Sequence, residues 1–163
     1  MDKGRFKGME FRDKYQNWCM GRLEMEPTKV VLRFKDGRVL KGFTQNFLPH
    51  KDQFHLFPVD KPPGLPIEVS MKELKAVFVV RDFVGNSRDA ERKKYLEEEK
   101  PNGLKIEVTF VDGEVLVGST LGYDLKRLGF FVFPADPNSN NIRIFVVSSG
   151  VGSVRRFDSN INV

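Results

Sequence analysis

Residues that carry chemistry are scarce in this chain. Among 163 residues there is one cysteine, Cys19, which excludes an internal disulfide and any Cys-x-x-Cys metal knuckle. No histidine stands near Cys19 in sequence to activate it as a nucleophile. The two histidines, His50 and His55, share a stretch with Asp52 and Asp60. His55 alternates with Phe54 and Leu56, however, so it reads as the polar face of a strand rather than a metal ligand. No glycine-rich phosphate loop is present, and Val147-Ser148-Ser149-Gly150 lacks the lysine one would need. Apolar runs such as Ala76 to Val80 are too short to span a bilayer, and no signal-peptide core opens the chain. The expectations are a cytoplasmic protein with no membrane partner, no metal, no cofactor and no catalytic activity.

What the chain has is a repeat. Leu32-Arg33-Phe34-Lys35-Asp36-Gly37-Arg38-Val39-Leu40-Lys41-Gly42 returns 76 residues later as Val108-Thr109-Phe110-Val111-Asp112-Gly113-Glu114-Val115-Leu116-Val117-Gly118. The same offset carries Phe54 onto Phe130, Phe57 onto Phe133 and Pro58 onto Pro134. One extra residue then brings Ile67, Val69 and Val77 onto Ile144, Val146 and Val154. The organisation predicted is a head at 1–28, a first β unit at 29–83, a connector at 84–103 and a second β unit at 104–163. Units this small bury little surface alone and gain core by packing together. Fifteen phenylalanines suit compact β cores.

Within each copy the signals are those of short strands. Leu32 and Phe34 alternate with Arg33 and Lys35. Asp36-Gly37 and Asp112-Gly113 are structural hairpin signals, expected to supply the positive φ angles of a tight primed turn. Gly42 and Gly118 follow at a fixed distance and predict sharp bends or close backbone approach. Phe34 with Phe110, and Phe57 with Phe133, are expected at equivalent core sites. Met71 to Leu74 reads as one helical turn between strands. Outside the copies, Phe11, Tyr15 and Trp18 stand at helical spacing, with Leu23 beyond, and suggest a lid helix, the alternative being a partner-binding helix. Lys93/Glu97 and Lys94/Glu98 give the connector an i, i+4 helical pattern.

The net charge of +5 is uneven. Lys29 to Asp82 holds ten Lys/Arg against six Asp/Glu, whereas Leu104 to Val163 holds six of each. Arg33, Lys35, Arg38 and Lys41 therefore form a candidate basic face for nucleic acid. Their counterparts are Thr109, Val111, Glu114 and Val117. Val111 and Val117 are expected to pack against the rest of the molecule, the alternative being a protein-binding face.

The apolar-x-apolar-x-Asp-Gly-x-apolar-x-x-Gly hairpin resembles the first signature of Sm-like proteins, bacterial Hfq among them. That resemblance implies two tandem Sm-like or SH3-like small β-barrels with short helices in the head and connector. Tyr123-Asp124 matches the aromatic-Asp pair of that family, but Leu48 follows Phe47 in copy one, and Gly129 and Phe130 stand where a base-holding Asn would be. The nucleobase pocket is thus not carried over. The two-copy layout is also similar to an uncharacterised bacterial tandem-barrel family associated with PilZ signalling proteins. Arg88 and Arg92 match the first half of the PilZ cyclic-dinucleotide motif, and Ser119 and Gly122 part of the second. Val117 stands where that motif has Asp or Asn. The reading is a non-catalytic bacterial adaptor or regulatory module with a protein partner, a monomer or small dimer. RNA binding through the basic face is the alternative, and degenerate cyclic-dinucleotide binding a second one.

Overall fold

Two identical turns set the register of the fold. In the computed structural model, which describes residues 27–60, 65–84, 95 and 101–157, Phe34 donates its amide to the Arg38 carbonyl and Gly37 to the Phe34 carbonyl. Phe110, Glu114 and Gly113 repeat the pattern. Only the glycines have positive φ, 96° at Gly37 and 90° at Gly113. Each hairpin is therefore a three-residue connection with a glycine bulge, not the two-residue primed turn expected from Asp-Gly. The reason is the aspartate side chain. Asp36 Oδ1 accepts the Arg38 amide and Asp112 Oδ1 accepts the Glu114 amide, both at 3.0 Å, which holds the preceding backbone at ordinary negative φ.

Among the described residues ten strands follow in order: β1 (Thr28–Phe34), β2 (Val39–Thr44), β3 (Gln53–Pro58), β4 (Ile67–Ser70), β5 (Leu74–Val80), β6 (Leu104–Phe110), β7 (Val115–Thr120), β8 (Gly129–Pro134), β9 (Asn141–Val147) and β10 (Val151–Phe157). One-turn 3-10 helices, Met71–Glu73 and Ser148–Gly150, join β4 to β5 and β9 to β10. The strands make one antiparallel sheet in the order β10-β6-β7-β8-β9-β5-β1-β2-β3-β4. The first five strands and the last five are thus arranged alike. Leu32 pairs with Val77 as Val108 pairs with Val154, and Phe54 with Val69 as Phe130 with Val146.

The sheet does not close into the two separate barrels expected from sequence. Instead β5 pairs with β9, matching Val77 to Phe145 and Phe78 to Ile144. Each half satisfies the free edge of the other. β5 is buried on both faces as a result, and so is the Ile144–Val147 part of β9. One core gathers Val30, Leu32, Phe34, Phe54, Leu56, Val77 and Val79 of the first half with Phe145 and Val147 of the second. The other gathers Ile106, Val108, Phe110, Phe130 and Val132 with Ala76 of the first. Each half lends a strand face to its neighbour's core.

Gly42 pairs with Pro58 and Gly118 with Pro134. A Cβ at either glycine would fall on a backbone carbonyl, of Phe57 or of Phe133, so both are close-approach bends as expected. Phe34 and Phe110 are both buried. The other aromatic pair diverges, since Phe57 is 2% exposed and Phe133 38%. Phe57 faces Phe43 across the ladder, whereas Phe133 faces only Ser119, too small to cover it. Val111 does not pack as expected either. It sits in the turn after β6 at 67% exposure, while Val117 is half-buried. The head helix and nearly all of the charged connector, with Arg88 and Arg92, lie outside the described residues.

Candidate functional site

The basic quartet of the first half is largely tied into the chain's own bonding. Arg33, on β1, donates Nη1 to Glu114 Oε1 of the other half at 2.6 Å. Arg38 donates Nε to Asp36 Oδ2 at 2.7 Å, and its guanidinium lies over the Phe34 ring at 4.4 Å. The Arg38 amide and guanidinium together hold the Asp36 carboxyl below the usual carboxylate range. Lys41 donates Nζ to the Phe83 carbonyl at 3.0 Å. Lys35 is exposed in the turn. Strand alternation places Arg33 away from the core, and Lys35, Arg38 and Lys41 are exposed beside it, three of the four making bonds within the chain.

Arg33 belongs to an ionic seam between the halves. Lys75, in β5, is buried beside the Phe110 ring, 4.5 Å from its centroid, with its side chain 5% exposed. Its ammonium donates to Asp112 Oδ2 at 2.7 Å and to Glu114 Oε2. The hydrogen bond from Lys75 lowers the Asp112 carboxyl below its ordinary range. Burial pushes Glu114 up, but its bonds to Lys75 and Arg33 outweigh that and leave it lowered. A lysine buried among apolar neighbours needs such partners, because an uncompensated charge there is costly.

A second feature is open where the seam is closed. A cavity of about 540 Å³ lies between the β2–β3 loop of the first half and β8 with its preceding loop in the second. Its walls include Pro49, Tyr123, Phe130, Phe131, Phe133 and Phe145, with Asp124 and Arg127 among the lining residues. Tyr123 lies 5.7 Å from Phe130, as Phe47 lies 5.3 Å from Phe54 one repeat earlier. Phe47 is packed further by Phe145, at 5.4 Å, and Phe131, at 6.5 Å. The exposed Leu121, at 78%, and Phe133 carry the apolar surface outward, and Leu48 and Leu125 are exposed on the two loops.

At the cavity wall the two copies differ in two residues, and the loop of the second half is held by the Thr120 hydroxyl, which bonds the Gly122 and Phe131 carbonyls. In the first half Asn46 closes the loop over β3. Its Oδ1 accepts the His55 amide and its Nδ2 lies against His55 Nδ1, both at 2.9 Å. The equivalent pair in the second half is Gly122 and Phe131. Gly122 has no side chain to close the loop, and a Cβ built there meets nothing within 4 Å. This difference was visible in the sequence once the 76-residue offset was applied at these positions, but a Gly in a loop gave no reason to apply it.

Of the residues matching the dinucleotide motif, Ser119 is buried at 4% exposure and Gly122 lines the cavity. Asp124 Oδ1 accepts the Lys126 amide at 2.9 Å, a loop-capping role, while its carboxylate stands at the cavity wall. Among the described residues no three His, Cys, Asp or Glu side chains come together as a metal site. Nor is any helix among them long and apolar enough to cross a membrane, which leaves membrane-spanning strands unaddressed.

The chain belongs to a family of unknown function, DUF6982, whose model matches residues 26–157. No curated protein and no solved structure matches it.

Proposed function

We propose that this protein is a non-catalytic bacterial adaptor or regulatory module, two joined Sm-like units that bind another protein through the aromatic cavity of the second unit. The observation that carries the reading is the opening left by Gly122 and Phe131 where Asn46 and His55 close the first half. Concave apolar sites with a few polar groups at the wall are the usual form of binding pockets. Exposed leucines and a phenylalanine around such a site favour a protein surface as the ligand.

The test is recovery of partners from the native host with wild-type protein and with Gly122→Asn, which restores the loop closure of the first half. A partner retained by wild type and lost by the variant supports the reading. A partner retained equally by both overturns it. RNA binding through Arg33, Lys35, Arg38 and Lys41 remains the alternative. It requires affinity that falls steeply with salt and is lost in Lys35→Glu/Lys41→Glu. Those two positions suit the test because neither joins the Arg33–Glu114 pair. Cyclic-dinucleotide binding, the second alternative, requires loss of nucleotide affinity in Arg88→Ala/Arg92→Ala.

A further inference from the structure

The cavity also exposes backbone. The β7–β8 ladder holds only Gly118 against Pro134 and Ser119 against Phe133, so it stops short of Phe131. On its other side β8 pairs with β9 through Phe131 and Phe145. In an antiparallel ladder the N–H and C=O of one residue point to the same side. The Thr120 hydroxyl of β7 donates toward the Phe131 carbonyl at 2.8 Å, which fixes that side as the β7 side. The Phe131 amide therefore points into the gap between β7 and β8, where the cavity lies. One repeat earlier the equivalent amide, His55, is bound by Asn46 Oδ1. Gly122 offers no such acceptor.

A backbone donor beside aromatic walls calls for a ligand with a carbonyl acceptor and an apolar group next to it. Resting on the protein-binding reading above, we propose that the partner is an extended peptide segment. One of its carbonyls accepts the Phe131 amide, and the adjoining apolar side chain enters the cavity between Tyr123, Phe131 and Phe133. The two charges at the wall, Asp124 and Arg127, are of opposite sign and both exposed, which suits a neutral main chain better than a phosphate-bearing ligand. Main-chain bonding to an unpaired strand segment with a pocket for one side chain is an established mode of peptide capture. The Asn46 side chain of the first half is the internal mimic of that ligand.

The test uses the full chain, 15N-labelled, with capped hexapeptides carrying a central Trp, Leu or Lys among Ser and Thr as probes. The expected result is a downfield shift and slowed exchange of the Phe131 amide with the Trp and Leu probes and not with Lys. Gly122→Asn should weaken binding by about tenfold or more, since the introduced amide takes the same donor. Gly122→Ala should leave it within about twofold, since a methyl there meets no neighbour. The shifts of the core amides report in each variant that the fold is kept. Probe binding that moves the cavity side chains but leaves the Phe131 amide unchanged overturns the peptide mode while sparing the protein-binding reading. Probe binding on another surface, insensitive to Gly122→Asn, overturns the mode and the assignment of the cavity together. Absence of any shift at millimolar probe overturns the mode, and the native-partner comparison above then decides the function by itself.

Discussion

Lys75 reaches from the fifth strand to Asp112, in the hairpin turn of the other half, at 2.7 Å. It is the buried member of the ionic seam, and its partners are half-exposed. Removing it should therefore cost more than removing either carboxylate. Lys75→Ala strips the cation and opens space beside Phe110, with an expected loss of about 1–3 kcal/mol. Lys75→Met fills the same space without a charge to desolvate and should fall within about 1 kcal/mol of wild type. Urea unfolding of both variants measures the difference, and equal losses would mean that charge rather than packing dominates.

The same seam makes a pH prediction. Asp112 and Glu114 are both lowered in the folded protein. Their pairing contributes fully above the ordinary carboxylate values near pH ~4. The contribution is lost as pH falls through the lower folded values, because protonation then removes the charges Lys75 and Arg33 hold. Unfolding midpoints should stay level from neutral pH to about 5 and drop below about 4. In Lys75→Met the drop should be shallower. An equally steep drop in that variant would assign the acid sensitivity to other carboxylates.

Phe57 and Phe133 occupy the same repeat position in different surroundings, so their truncation should be unequal. Phe57→Ala removes a buried ring and should cost about 3–5 kcal/mol. Phe133→Ala removes a ring that is 38% exposed and should cost well under half of that. Thermal unfolding of the two variants decides it. If the cavity binds as proposed, Phe133→Ala should lose ligand while keeping its fold.

Gly42→Val and Gly118→Val should each lower the unfolding temperature by several degrees or prevent folding, because the added carbons meet the Phe57 or Phe133 carbonyl. These two positions were legible in the sequence, and so were the places of the two Asp-Gly hairpins and the succession of strands along the chain, though not the turn type, since each is marked within a short span by Asp-Gly, alternation and a later Gly. The union of the halves was not. Pairing of β5 with β9 joins residues about as far apart as Val77 and Phe145, and nothing local in either strand specifies a partner. Lys75 was illegible for the same reason. Between Leu74 and Ala76 it reads as an outward lysine, and only the arrival of Asp112 and Glu114 from the other half explains its burial. The cavity lay between these extremes, readable as Asn46 and His55 against Gly122 and Phe131, but meaningful only once the loops were in space.

The last prediction concerns assembly. Among the described residues the sheet ends on β4 and β10, which are of the same two kinds as the strands β9 and β5 that join the halves. A second copy could in principle continue the sheet by setting its β4 on β10 in the junction register. The side chains argue against it. Phe145, fully buried at the junction, is replaced at the free edge by exposed Glu68, and Arg143 by Pro66, which has no amide to donate. Ala76, Phe78 and Val79 become Ser153, Arg155 and Arg156. An apolar junction has turned into two blunted edges, so the protein should remain a monomer or small dimer. Glu68→Phe combined with Arg155→Phe and Arg156→Val restores the junction chemistry and should produce larger assemblies. Sedimentation of both proteins reads the outcome. A wild-type mass of six chains or more, persisting on dilution, would show that the charged edges pair after all, through Glu68 and the arginines, and that association should then weaken with salt.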